Sequence, residues 1–215
     1  MTDRPVIGIL TSSDTNGSQK QCIMSSYVRF LEQSGGKVVP LFYTDSDEAI
    51  LARMNQINGV LLPGGDSSVL TPDGVPTIYS LKIKVILEKA KEMNERGTYF
   101  PIFAIGLSMQ AIAAVEAPFE DTLTIGKFDS VDTCDKISFV EDSNESKLFR
   151  LMPDHLIVAI QNDEVTYNNH HDGIFMGVFT KYEALNSSFK VFATNIDRKG
   201  VEYVSIFEHI KYPFY

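Results

Sequence analysis

The chain predicts an α/β fold with a mostly parallel sheet, on three observations. From Val6 to Ala104, short apolar runs alternate with amphipathic stretches, the pattern of repeated βαβ units. Gly35-Gly36, Pro63-Gly64-Gly65 and Gly97 punctuate that alternation where elements must stop. With 215 residues, 44% of them hydrophobic, the chain can bury one large core, so a single domain over 1–215 is expected.

Taken in order, Val6-Ile7-Gly8-Ile9-Leu10 reads as the first strand. Ser25, Tyr27, Val28, Phe30 and Leu31 then supply helical apolar spacing that ends at the glycine pair, suited to a helix C-terminus. Val38 to Leu41 is a second strand, and Asp45 followed by Glu48 resembles a capping arrangement ahead of Ala49-Ile50-Leu51. Gly59 to Leu62 forms a third strand broken by Pro63-Gly64-Gly65-Asp66. A long helix over Pro76–Arg96 stops at Gly97, and Tyr99 to Ala104 makes a fourth strand running into a turn at Gly106.

The second half is richer in strands. Thr122–Ile125, Ile137–Phe139, Leu156–Ile160 and Val191–Thr194 are short β-like runs between polar loops, and Val201 to Phe207 alternates as a strand does. The last stretch, Ile210 to Tyr215, stops on aromatic residues whose apolar surface is expected to need a cover, from a partner or from further chain.

Charge and cysteine content remove several function classes. A formal net charge of -9 offers no basic face for nucleic acid or an anionic membrane. Cys22 and Cys134 form no CxxC pair, so neither a disulfide framework nor a structural zinc is suggested, and both read as buried inert thiols. The opening apolar run is too short for a signal-peptide core or a membrane span, which leads to the expectation of a cytoplasmic or other reduced compartment. Asn-x-Ser sequons at Asn16, Asn144 and Asn186 matter only for a secreted chain.

The segment Phe100 to Ala111 carries the chemistry. Strand, sharp turn and helix is the layout of a nucleophile elbow, which lifts a reactive side chain above the sheet beside backbone N–H groups. Small residues flank the turn at Ala104 and Ser108, but its centre is Gly106, which has nothing to attack with. Ser108 half-matches a displaced serine nucleophile, although it falls inside the first helical turn and not at its apex. Gly64 and Gly65 follow a buried strand at the edge where open α/β sheets bind ligands, and read as half of an oxyanion hole completed by the N–H of Leu107; the bland alternative is a plain turn. Asn169-His170-His171-Asp172-Gly173-Ile174 places two histidines at a turn. With no carboxylate or histidine at helical spacing to complete a site, metal binding is the weak reading, a surface turn ranks above it, and a pocket-shaping histidine is the strongest.

The order of these motifs resembles the gamma-glutamyl hydrolase family, within the class I glutamine-amidotransferase-like superfamily. The resemblance rests on Arg4 to Leu10, Ser26 to Glu32 with Gly35 to Pro40, Ile57 to Gly65, Tyr99 to Ile102, Asn169-His170-His171 with Gly173-Ile174, and Lys211 to Tyr215. It implies a flavodoxin-like, mostly parallel central sheet flanked by helices, with extra β elements in the second half. It also implies a cysteine thiolate attacking a gamma-glutamyl amide, a histidine relaying the proton and a glutamate orienting that histidine. Folate poly-gamma-glutamates are the implied substrates, with no metal or organic cofactor.

The departures fall on the chemistry. The family's Gly-x-Cys-x-Gly elbow is Ala104-Ile105-Gly106-Leu107-Ser108 here, and its Gln-aromatic-His-Pro-Glu stretch would follow Tyr215, so the domain is expected to lack its last strand and helix. What carries over is the oxyanion segment, Gly64, Gly65 and Leu107, and a pocket histidine placed at His171. The expectation is a protein that has lost catalysis and serves as a structural or binding subunit. Its partners would be proteins of an assembly or a second copy, and its ligand a gamma-glutamyl or folate-like molecule, with no nucleic acid and no membrane insertion. The competing expectation is an active hydrolase whose sequence is truncated or altered; family members are often lysosomal or secreted.

Overall fold

The computed structural model describes residues 4–13, 20–118, 122–141 and 143–215. The Asn16 sequon lies outside them. They form two compact units, one running to Val115 with Phe214 and one from Glu116 to Pro213 with Tyr215.

The first unit is built on parallel strands. β1 (Val6–Leu10) pairs with β4 (Lys37–Leu41) on one side and β5 (Gly59–Leu62) on the other, and β5 pairs with β6 (Ile102–Ala104), giving the order β4-β1-β5-β6. The register runs Ile7 to Val38 and Gly59, then Val60 to Ile102. All four residues of β5 are buried, as a central parallel strand covered on both faces requires. The short strands β2 (Ser12–Ser13) and β3 (Gln21–Cys22) form an antiparallel pair after β1.

Helices α1 (Ser25–Gln33), α2 (Asp47–Met54), α3 (Ile78–Glu95) and α4 (Leu107–Glu116) connect the strands. α3 starts at Thr77, whose hydroxyl accepts from the Ser80 N–H, and ends ahead of Gly97 at φ +84°. The cap of α2 is Ser46, accepting from the Ala49 N–H, in place of the expected Asp45. Asp45 is drawn instead to Arg53 in the last turn of α2. Ile50 and Met54 of α2 and Ile83, Ile86 and Leu87 of α3 bury completely or nearly so with Ile9, Leu10, Leu61 and Leu62. Each such side chain contributes about 1.5–3 kcal/mol of transfer free energy.

The second unit is antiparallel. β10 (Phe189–Ile196) pairs with β11 (Glu202–His209) and with β8 (Ser138–Phe139), while β7 (Ser130–Asp135) pairs with β9 (Thr166–His170). Phe128, Phe179, Phe189 and Phe207 are buried here, with Phe179 and Phe189 each about 5 Å from the Phe207 ring. Two short helices, α6 (Met176–Lys181) and α7 (Glu183–Ser188), precede β10.

Four expectations are corrected. Leu156–Ile160 lies in a helix, α5 (Asp154–Asn162), entered through Pro153 at φ -57° with Asp154 in its first turn. A five-residue apolar run has no period of its own, and the helix-start residues decide it. Thr122–Ile125 contributes a single bridge, Thr124 to Gly173, and no strand. Cys22 and Cys134 are exposed, since each sits on a two-stranded pair that leaves one face in solvent. The aromatic end is covered within the chain: Tyr212 and Phe214 are buried, and Phe214 pairs in parallel with Ile102 of β6. Among the described residues no helix is long and apolar enough to cross a membrane.

Candidate functional site

Two strand ends of the first unit place the predicted crevice. β5 delivers Pro63-Gly64-Gly65, and β6 delivers Ile105-Gly106 into α4. The Ile105 N–H donates to the Leu62 carbonyl at 3.0 Å, holding the two loops side by side. Gly106 is exposed at φ +52°, a left-handed conformation that costs other residues about 1–2 kcal/mol. A Cβ built on Gly106 would meet nothing nearer than the Cα of Gly64, 3.8 Å away. The turn at Gly106 therefore combines a left-handed backbone, which glycine adopts freely, with room for a side chain.

The expected donors are close by. Leu107 is the first residue of α4, so its N–H has no acceptor within the helix and joins the positive end of the helix dipole. The Gly64 N–H donates to the Tyr27 hydroxyl at 3.1 Å, so a side chain that sequence reasoning passed over covers this donor. A Cβ on Gly64 would fall 3.1 Å from that hydroxyl and 3.4 Å from the Ile105 carbonyl oxygen, so a side chain there would press on Tyr27. Gly65 is exposed, with Ser12 of β2 beside it, and Ser13 bonds Ser67 through both its N–H, at 3.2 Å, and its hydroxyl, at 3.1 Å. Hydroxyls thus line the rim of the glycine loop.

Ser108 is no displaced nucleophile. It is wholly buried, its hydroxyl donates to the Pro63 carbonyl at 2.6 Å, and the Tyr79 hydroxyl lies 2.8 Å away in position to donate to it. Burial pushes the Tyr79 phenol up to about 12, outweighing the hydrogen bond with Ser108 that would lower it. This strap ties the first turn of α4 to the glycine loop.

In the second unit the histidines separate. His171, the residue chosen from sequence, is exposed, and its Nδ1 lies 3.3 Å from the Phe128 carbonyl oxygen. His170 closes β9 half-buried, with its ring edge-on to Tyr203 at 4.8 Å. Its Nδ1 donates to the Asp172 carbonyl at 2.8 Å, which leaves Nε2 as the acceptor. Burial holds its imidazole below the ordinary range, against the raising effect of that bond. The alternation of β9 was the signal available: Thr166, Asn168 and His170 turn inward, while Tyr167 and Asn169 are exposed.

A shallow hollow of about 330 Å³, lined by Val39, Pro40, Phe42, Arg53 and Ile57 among others, shares no residue with the crevice. Among the described residues no three His, Cys, Asp or Glu side chains gather as a metal centre requires.

The Peptidase C26 family model matches residues 5–212. Gamma-glutamyl hydrolase B of Dictyostelium discoideum is 36% identical over 219 residues, covering 100% of this chain and 61% of that protein. Gamma-glutamyl hydrolase of Rattus norvegicus is 33% identical over 99% of this chain and 65% of its own length. Gamma-glutamyl hydrolase 1 of Arabidopsis thaliana is 31% identical over 98% and 60% respectively. The chain spans less than two thirds of the length of these curated relatives. With nearly its whole length matched by the family model, the chain belongs to the peptidase C26 family.

Proposed function

We propose that this chain is a gamma-glutamyl-hydrolase-like protein that has lost catalysis and binds a gamma-glutamyl or folate-like chain, as a binding or structural subunit of a protein assembly. The observation that carries the reading is Gly106. The exposed turn carries glycine, at φ +52°, where the resemblance expects a nucleophile, beside a glycine loop held by the Ser108–Pro63 strap. Losing the nucleophile of a hydrolytic constellation costs on the order of a million-fold in rate, and an oxyanion hole without it is no working hydrolase.

The chemistry left is recognition of an oxygen. The Leu107 N–H and the rim hydroxyls of Ser12 and Ser13 suit a carbonyl or carboxylate, and a gamma-glutamyl chain is rich in both. Calorimetric titration with a short poly-gamma-glutamate tests the reading. Heat of binding with no glutamate released supports it, and absence of both heat and thermal shift removes the ligand part.

A second reading, an active hydrolase of folate poly-gamma-glutamates, is favoured by the space around Gly106, where the nearest atom to an added Cβ is 3.8 Å away. On that reading Gly106→Cys in a longer form of the chain releases glutamate. Absence of release from a folded, thiol-reactive variant removes it.

A further inference from the structure

The turn from His209 to Tyr212, where β11 ends, is held by side chains. The imidazole Nδ1 of His209 accepts the Lys211 N–H at 3.0 Å and the Tyr212 N–H at 3.2 Å. From the other side, the Lys147 ammonium donates to the carbonyls of His209 and Ile210, both at 2.7 Å, and of Tyr212 at 3.1 Å. The Ile210 N–H goes to the Ser188 carbonyl at 2.8 Å. Five of the turn's backbone hydrogen bonds thus depend on two titratable groups.

We propose that His209 is a proton-operated latch: neutral, it holds the turn from His209 to Tyr212 closed, and protonated, it releases it. An imidazole that accepts at Nδ1 must be neutral and carry its proton on Nε2, whereas imidazolium donates from both nitrogens. Protonation therefore removes the acceptor from two amides at once. His209 is 6% exposed, packed against Phe189 of β10 at 5.0 Å and Tyr212 at 4.6 Å, so water does not readily replace it.

The charges around the ring reinforce the effect. Lys147 already sets its ammonium on the His209 carbonyl, so imidazolium would be a second cation at one turn. The Glu208 carboxylate is committed to the Ser146 hydroxyl, the Lys147 N–H and the Leu148 N–H. On the turn itself, the Lys211 ammonium stands over the Tyr212 ring at 5.0 Å. From β10, Lys190 is opposite Glu208 and pairs with Glu141 and Glu145. The bonds to His209 therefore need the neutral ring and are lost when it is protonated.

Nitrogen-15 NMR and amide hydrogen exchange on the whole chain test the latch. At about pH 7.5 the His209 ring carries its proton on Nε2. As acid titration protonates that ring, the Lys211 and Tyr212 amides lose about tenfold in protection beyond the intrinsic pH effect, the equivalent of two modest hydrogen bonds. His209→Asn places an oxygen where Nδ1 stood and keeps protection flat across the range. A ring protonated on Nδ1 at neutral pH overturns the proposal. So does a titrating ring with unchanged protection, or an equal loss in wild type and His209→Asn. If His209→Asn does not fold, the wild-type tautomer and titration decide alone.

Discussion

A Cβ on Gly106 would stand 3.8 Å from the Cα of Gly64, so the two glycines face each other across a gap that accepts one more side chain. Gly106→Cys is therefore expected to fold, losing about 1–2 kcal/mol to the left-handed backbone. The thiol it introduces, at the N-terminus of α4, is expected to alkylate faster than Cys22 or Cys134 because the helix end favours thiolate. Peptide-resolved alkylation rates and thermal melting check this. An introduced thiol that reacts more slowly than the two native cysteines contradicts the elbow geometry.

Ser108→Ala removes the hydroxyl bonded to both the Pro63 carbonyl and the Tyr79 hydroxyl and leaves them only the long Tyr79–Pro63 bond of 3.4 Å, so a loss of about 1–3 kcal/mol is expected in urea unfolding. Tyr79→Phe is expected to cost less, because Ser108 still reaches Pro63. The double variant should fall short of the sum, since both side chains belong to one network. Additive losses contradict the strap.

Tyr27→Phe removes the acceptor of the Gly64 N–H. The expected result is a cost of about 0.5–1.5 kcal/mol and faster exchange of the Gly64 amide, with little change at Gly106. Unchanged exchange at Gly64 shows that the bond does not form in solution.

Burial holds the His170 imidazole below its ordinary range, so the folded state prefers this ring neutral. Its contribution to stability is complete above the unfolded value of about 6.5 and is lost as the pH falls through the lower folded value. Wild type is therefore expected to lose more stability on acidification than His170→Gln, measured as the difference in melting temperature at neutral and acidic pH. Parallel curves contradict it.

Local signals served the first unit well. β1, β5 and α3 were legible because short apolar runs marked the strands, Pro63-Gly64-Gly65 broke β5 and Gly97 stopped α3. Where signals were non-local, legibility ended. The covering of Phe214 depends on pairing with Ile102, 112 positions away in the chain, and no window of sequence contains that contact. Leu156–Ile160 has the composition of a strand, and Pro153-Asp154 turned it into a helix.

At the site, the backbone features were readable and their partners were not. Gly64, Gly106 and Leu107 could be placed from the strand-turn-helix pattern, because glycine and turn position are local properties. Tyr27 and Tyr79 reach the glycine loop from helices elsewhere in the unit, as a consequence of packing. The enclosed ring at His170 was hidden because two adjacent histidines look alike until strand alternation is applied to β9.

The most direct measurement is glutamate release from a poly-gamma-glutamate incubated with the wild-type chain, followed by mass spectrometry, with binding read calorimetrically on the same sample. Loss of catalysis predicts bound substrate and no release above the protein-free rate. Sustained turnover by the chain with Gly106 in place would contradict it.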